Sequence, residues 1–150
     1  MHPHFGYETV LMGMAFPPTD AEAGTITGET IDRRGYEGDC SFLVTHGVVS
    51  GNPSAFTINA HVEETDDATN GPWTDVDLAA DVADGADAIT AMNDDSTTHG
   101  VESLRIKLEN RMAYLRMVCV VTLTSGSSPA VPVAGFYMLA GARQYPITQP

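Results

Sequence analysis

The side chains able to do chemistry are few, and most stand apart from one another. Carboxylates gather on both sides of one polar turn, with Glu63, Glu64, Asp66 and Asp67 before it and Asp75, Asp77, Asp81 and Asp84 after it. Calcium takes several oxygens from a bent backbone, but this spacing does not match the twelve-residue EF-hand loop, and acidic loops are more often simply solvated. Paired carboxylates for glycoside hydrolysis would need a substrate cleft, which nothing in the pattern marks. Nucleophilic catalysis would need an activated Ser or Cys beside a base. There is no G-x-S-x-G elbow, and Cys119 lies inside an apolar run. Cys40 and Cys119 form no C-x-x-C pair and read as buried free thiols. His2 and His4 make an H-x-H pair, while His46, His61 and His99 fall in separate segments without metal-ligand spacing. No phosphate-cradling glycine loop is present. The expectation is a chain that is not an enzyme and uses no metal or cofactor.

Binding chemistry offers more. Trp73, the single Trp, sits beside the acidic turn and could form a sugar platform, although an indole there more often packs a hairpin or core. Twenty carboxylates against seven basic side chains give a formal charge of -13, a field that repels phosphate backbones and anionic headgroups. Nucleic acid and membrane surfaces are therefore poor partners. Six of the seven cations are Arg, the residue suited to forked contacts with carboxylates, so Arg33, Arg34, Arg111, Arg116 and Arg143 are candidate interface residues, weighed against ordinary surface charge.

The elements that must position these groups are mostly strands. Phe56, Ile58, Ala60 and Val62 alternate with polar neighbours at a period of two, as do Leu104, Ile106 and Leu108. Residues 114–123 and 130–140 are apolar on both faces at their centres, as expected of inner strands or of strands covered by a neighbouring subunit. Ser125-Gly126-Ser127-Ser128-Pro129 between them supplies turn chemistry, so the pair reads as a hairpin. Pro132 places the start of the second strand at an edge or bulge. Residues 40–49 read as another strand, turned by Gly51-Asn52-Pro53-Ser54 toward the Phe56 strand, and residues 10–16 as one more, ending at Pro17-Pro18. Residues 77–92 resist a strand reading and are expected to form a short helix or ordered loop. No apolar run is long enough to span a bilayer as a helix, and the N-terminus lacks a signal-peptide pattern, so a soluble chain made in the cytoplasm is expected. The organisation expected is an N-terminal arm over residues 1–35, with one weak strand, and a single antiparallel β-sandwich or jelly-roll-like domain over residues 36–150.

The C-terminal third carries a resemblance. Arg111-Met112-Ala113-Tyr114-Leu115-Arg116, an apolar strand, Gly126-Ser127-Ser128-Pro129, a second apolar strand and Gly141-Ala142-Arg143-Gln144-Tyr145-Pro146 follow one another in an order that resembles small structural proteins of tailed bacteriophages. The turn before Trp73-Thr74-Asp75-Val76 is similar to theirs as well. The likeness spans residues 42–146 and departs from the pattern at Ala113 and in the longer Asn70-Gly71-Pro72 turn. It implies a sandwich or jelly-roll head protein of decoration (cement) type, a homotrimer or other homo-oligomer bound to the major capsid protein on the outside of the shell. A tail or baseplate position is the alternative within the virion, and a carbohydrate- or calcium-binding adhesion module the alternative outside it.

Overall fold

The computed structural model describes residues 10–76, 89–92 and 99–142, and no helix occurs among them. Ten strands do: β1 (Leu11–Ala21), β2 (Gly24–Thr27), β3 (Ile31–Asp32), β4 (Asp39–His46), β5 (Ala55–Thr65), β6 (Thr74–Asp75), β7 (Ile89–Met92), β8 (Gly100–Lys107), β9 (Tyr114–Thr124) and β10 (Val131–Leu139). They form two antiparallel sheets. One has the order β1-β10-β4-β8; the other runs β2-β9-β5-β6, with β3 also on β9 and β7 also on β5.

Period-two alternation turns one face of every long strand inward. Phe56, Ile58, Ala60 and Val62 of β5 are buried, as are Leu104 and Ile106 of β8 and Cys40, Phe42 and Val44 of β4. Leu115, Met117, Cys119 and Val121 of β9 oppose Val131, Val133 and Leu139 of β10 in the same core. The expected mainly β sandwich is the fold observed.

The path through it is a jelly roll, because consecutive long strands alternate between sheets. From β1 the chain crosses to β2, returns to β4, crosses to β5, returns to β8, crosses to β9 and returns to β10. This corrects the hairpin expected of β9 and β10, which do not pair. β9 instead pairs along its length with β5, from Ala55↔Thr124 to Thr65↔Tyr114, and β10 pairs with β4 from Val133↔His46 to Leu139↔Cys40. The two connections, 47–54 and 125–130, therefore pass from one sheet to the other at the same end of the sandwich. There they bond to each other: Ser54 N donates to Thr124 O, Ser127 N to Gly51 O and Ser50 N to Ala130 O. Positive φ at Gly51, Asn52, Ser125, Gly126 and Ser128 lets both segments turn this corner.

Residues 11–32, inside the expected arm, supply β1, β2 and β3. Ala15, Phe16, Ala21 and Ile31 are buried in the chain's own core, so this part of the segment is built into both sheets. β1 also does not stop at Pro17-Pro18. It continues to Ala21 opposite Val131, accommodating the prolines with register shifts between Met14 and Phe16 and between Phe16 and Thr19. Pro132 lies in an inner strand rather than at an edge. Its carbonyl accepts from Gly47 N just past the end of the β4 ladder, and the missing N–H points to that same side, where no ladder donor is needed. Of the region expected to be a short helix or loop, residues 77–88 lie outside the described residues, and Ile89–Met92 form β7 on β5.

Candidate functional site

Half of each long strand faces outward, and the outward residues of the six-stranded sheet bring several of the sequence-derived candidates together. Arg116 on β9 stands directly opposite Glu63 on β5, which stands opposite Asp75 on β6. The Arg116 guanidinium donates from Nε to Glu63 Oε2 at 2.6 Å and lies 4.1 Å from the ring centroid of Trp73. Trp73 is half-buried beneath it, so the indole face that a sugar would use is stacked on a cation of the same chain. His61, two residues before Glu63 and on the same face, has Nε2 3.4 Å from Asp75 Oδ1 and 3.9 Å from Glu63 Oε1. His61, Glu63 and Asp75 each offer a ligand atom within 4.8 Å of the others and are the residues that could hold a divalent cation. The Arg116 charge on Glu63 opposes one. The row works as charge compensation instead, since two carboxylates directly opposite across a strand pair repel and need cations beside them.

Removing Arg116 therefore strips Trp73 of its cover and Glu63 of its partner. Arg116→Ala is expected to cost about 1–2 kcal/mol and to red-shift the emission of the only Trp in the chain, measured by thermal unfolding and steady-state fluorescence.

A second group lies at the sandwich end where β5 leaves the sheet and β9 enters it. Glu64 is on the inward face of β5, and its carboxylate accepts from Met112 N at 3.0 Å and faces Arg111 Nη1 at 3.5 Å. Asp66 Oδ1 accepts from Ala113 N at 3.0 Å. Arg33 adds a third hold, donating from Nε to Met112 O at 2.7 Å while its own N donates to Ala113 O. Residues 111–113 are thus latched by three side chains from two other segments. Asp67 is used locally: Oδ1 accepts from Thr69 N and Asn70 N, and Oδ2 from Asn70 Nδ2. These hydrogen bonds, that of Asn70 Nδ2 first, hold its carboxyl below the usual range. Of the acidic residues before the turn, Glu64, Asp66 and Asp67 hold backbone N–H groups and Glu63 holds Arg116.

Arg33, Arg34 and Arg111 line one cleft of about 300 Å³ together with Tyr36 and Asp66. Arg34 forms a forked pair with Asp32 and lies 4.9 Å from the Tyr114 ring centroid. The hydrogen bond from Arg34 is the main cause that holds the Asp32 carboxyl below its ordinary value. Three of the candidate arginines thus share a site, Arg116 occupies another place on the same sheet, and Arg143 lies outside the described residues. Arg105, which was not singled out in the sequence, pairs with Asp39.

The remaining chemistry-bearing residues serve the core. His46 is buried, with Nδ1 2.9 Å from Gly47 O and its ring edge-on to Phe56. Both cysteines are free and buried. Burial pushes the Cys119 thiol up to about 11 and the Cys40 thiol higher still, so neither is a thiolate at neutral pH.

No protein-family model matches this chain, and no curated protein matches it. Solved structures do share its fold. The SPBc2 prophage-derived protein YomS aligns with a TM-score of 0.50 at 12% identity, over 91% of this chain and 97% of that one. A chain from the T13 particle of infectious bursal disease virus aligns with a TM-score of 0.54 at 10% identity, over 90% of this chain and 31% of that one. A chain from the Gt strain of the same virus gives 0.53 at 14% identity, over 91% and 32%. This chain spans about a third of the bursal-virus chains and nearly all of the prophage protein. At these identities the likeness is one of fold: a jelly-roll sandwich that recurs within virus-particle chains and makes up nearly the whole of a prophage-derived protein.

Proposed function

We propose that this chain is a non-enzymatic structural protein of a tailed-phage virion, a decoration or cement subunit that binds the major capsid protein on the outside of the head. The observation that carries this reading is the alternating-sheet path, shared over nearly the full length of a prophage protein and with chains of virus particles. The order of motifs over residues 111–146 points the same way. Glu64, Asp66 and Asp67 hold backbone N–H groups, and Arg116, Arg34 and Arg105 compensate Glu63, Asp32 and Asp39, roles that suit a rigid subunit.

Such a subunit works by linkage. A ligand that binds only the assembled lattice stabilises the lattice, and an oligomer that engages several lattice positions at once multiplies its affinity. Of the three arginines that line the shared cleft, Arg34 has its side chain mostly exposed and is the cation proposed to meet acidic groups of the partner, with Arg33 and Arg111 shaping the cleft around it. Incubating the purified chain with expanded, undecorated phage heads should give saturable, stoichiometric binding and raise the temperature at which the heads release DNA. Heads that neither bind the chain nor gain heat resistance would rule the decoration role out, and density for the chain in the tail of a reconstructed particle would move it there.

A further inference from the structure

The two outer faces of the sandwich differ in chemistry. The six-stranded sheet carries Asp32, His61, Glu63, Asp75 and Arg116 outward, whereas the middle of the four-stranded sheet carries Met12, Met14, Leu43, Phe136 and Met138 beside Ser41, Thr45 and Ser103. There Met12 stands opposite Met138, Met14 opposite Phe136, and Phe136 opposite Leu43, while Val101 stands opposite Thr45 one row away. Met12, Met14, Leu43 and Phe136 form one continuous surface. Met12 is 73% exposed, Val101 59%, Met14 52% and Met138 38%. A shallow groove of about 480 Å³ runs between Met12, Met14, Leu43 and Phe136. Across the three rows from Ala134 to Met138 the only charged side chain is Arg105, which is engaged with Asp39.

We propose that this face, centred on Met12, Met14, Phe136 and Leu43, is the surface through which two copies of the chain associate. Charge selects the occupant. A partner recruited electrostatically by a chain of formal charge -13 would be basic, and these three rows offer it no carboxylate. Two copies must instead keep their many carboxylates apart. Turning the apolar face onto itself across a two-fold axis brings like-charged molecules together where repulsion is least and apolar area greatest. The contact proposed is face to face, and at the β1 edge Pro17, Pro18 and the two register shifts work against strand addition.

Size sets the strength. Four strands about 4.8 Å apart and three rows of side chains about 6.8 Å apart give a face on the order of 400 Å², to which Ser41, Thr45, Ser103 and Arg105 also contribute. That is about half of the roughly 800 Å² that each partner contributes to a standard interface. The dimer is therefore weak in dilute solution and forms where copies are concentrated, as on a particle surface. The inference rests on reading the chain as an assembled subunit, but its test needs no particle.

Sedimentation equilibrium of the full chain, from low micromolar to submillimolar concentration, should show a reversible monomer–dimer equilibrium that tightens as salt is added, because salt screens the repulsion between acidic copies. Met14→Glu should weaken it about thirtyfold, whereas Thr122→Glu on the exposed face of the other sheet should leave it unchanged. Met12→Glu makes the same test if Met14→Glu does not fold. A chain that stays monomeric throughout, a dimer that loosens with salt, or one broken by Thr122→Glu and not by Met14→Glu would overturn the proposal. Head binding is measured separately. Decoration by a strictly monomeric chain would sink this inference and leave the proposed function standing, and a salt-strengthened dimer that ignores heads would do the reverse.

Discussion

Replacing Glu64 with Leu is expected to destabilise the chain by about 2–4 kcal/mol, on the order of 10 °C in Tm. The Glu64 and Arg111 side chains are only 11% and 10% exposed, so the carboxylate and guanidinium face each other largely out of water. Losing one partner of a fully buried ion pair costs about 3–5 kcal/mol. The figure here is lower because the contact is long and lies at the rim of the core. Much of the loss comes from Met112 N–H, which gives up its acceptor inside the latch over residues 111–113. Glu64→Gln keeps an oxygen for that N–H and should cost about half as much. Equal losses for Leu and Gln in thermal denaturation would assign the effect to the charge alone and remove the backbone latch from the account.

That latch shows what part of the site the sequence could reveal. Arg33, Arg34 and Arg111 were suggested by their type in an acidic chain, and the fold brings all three to one cleft. Nothing local indicated that Glu64 turns inward. It sits among Glu63, Asp66 and Asp67 and reads as one more solvated carboxylate, yet it continues the inward series of Phe56, Ile58, Ala60 and Val62 at a period of two. Extending the alternation by one step would have found it. Trp73 could not be placed in the same way, because its contact with Arg116 joins two segments far apart in sequence.

The strands themselves were legible wherever one face is buried and the other wet, as in β5 and β8, because alternation is the direct imprint of a half-buried sheet. Pairing was not. A turn such as Ser125-Gly126-Ser127-Ser128-Pro129 is equally suited to joining neighbours in one sheet and to carrying the chain between sheets. The deciding factor is non-local: β9 finds β5 and β10 finds β4, with the two corner loops bonded together. The outer face of β10 did carry a usable signal. Apolar residues on both sides of that strand fit an inner strand or one covered by a neighbouring subunit, and β10 is inner in its sheet while also presenting Phe136 and Met138 outward.

The N-terminal strand provides the sharpest test of where the domain begins. Phe16 is 2% exposed, and its ring lies against the backbone of Gly135, where an added Cβ would collide with Phe16 Cε1. Phe16→Ala should therefore cost about 3–5 kcal/mol, the range for emptying a buried aromatic site. Because Ala15, Phe16 and Ala21 pack on the chain's own core, this loss should be the same at low and high protein concentration. A segment that packed on a neighbouring copy would instead give a loss that grows with dilution. Gly135→Ala should cost about 1–3 kcal/mol by crowding the ring. In the Phe16→Ala background the new methyl enters the space the ring has vacated, so the two changes should fall well short of additive. Additive losses in equilibrium unfolding would mean that Phe16 and Gly135 do not touch and that β1 is not seated on β10 as described.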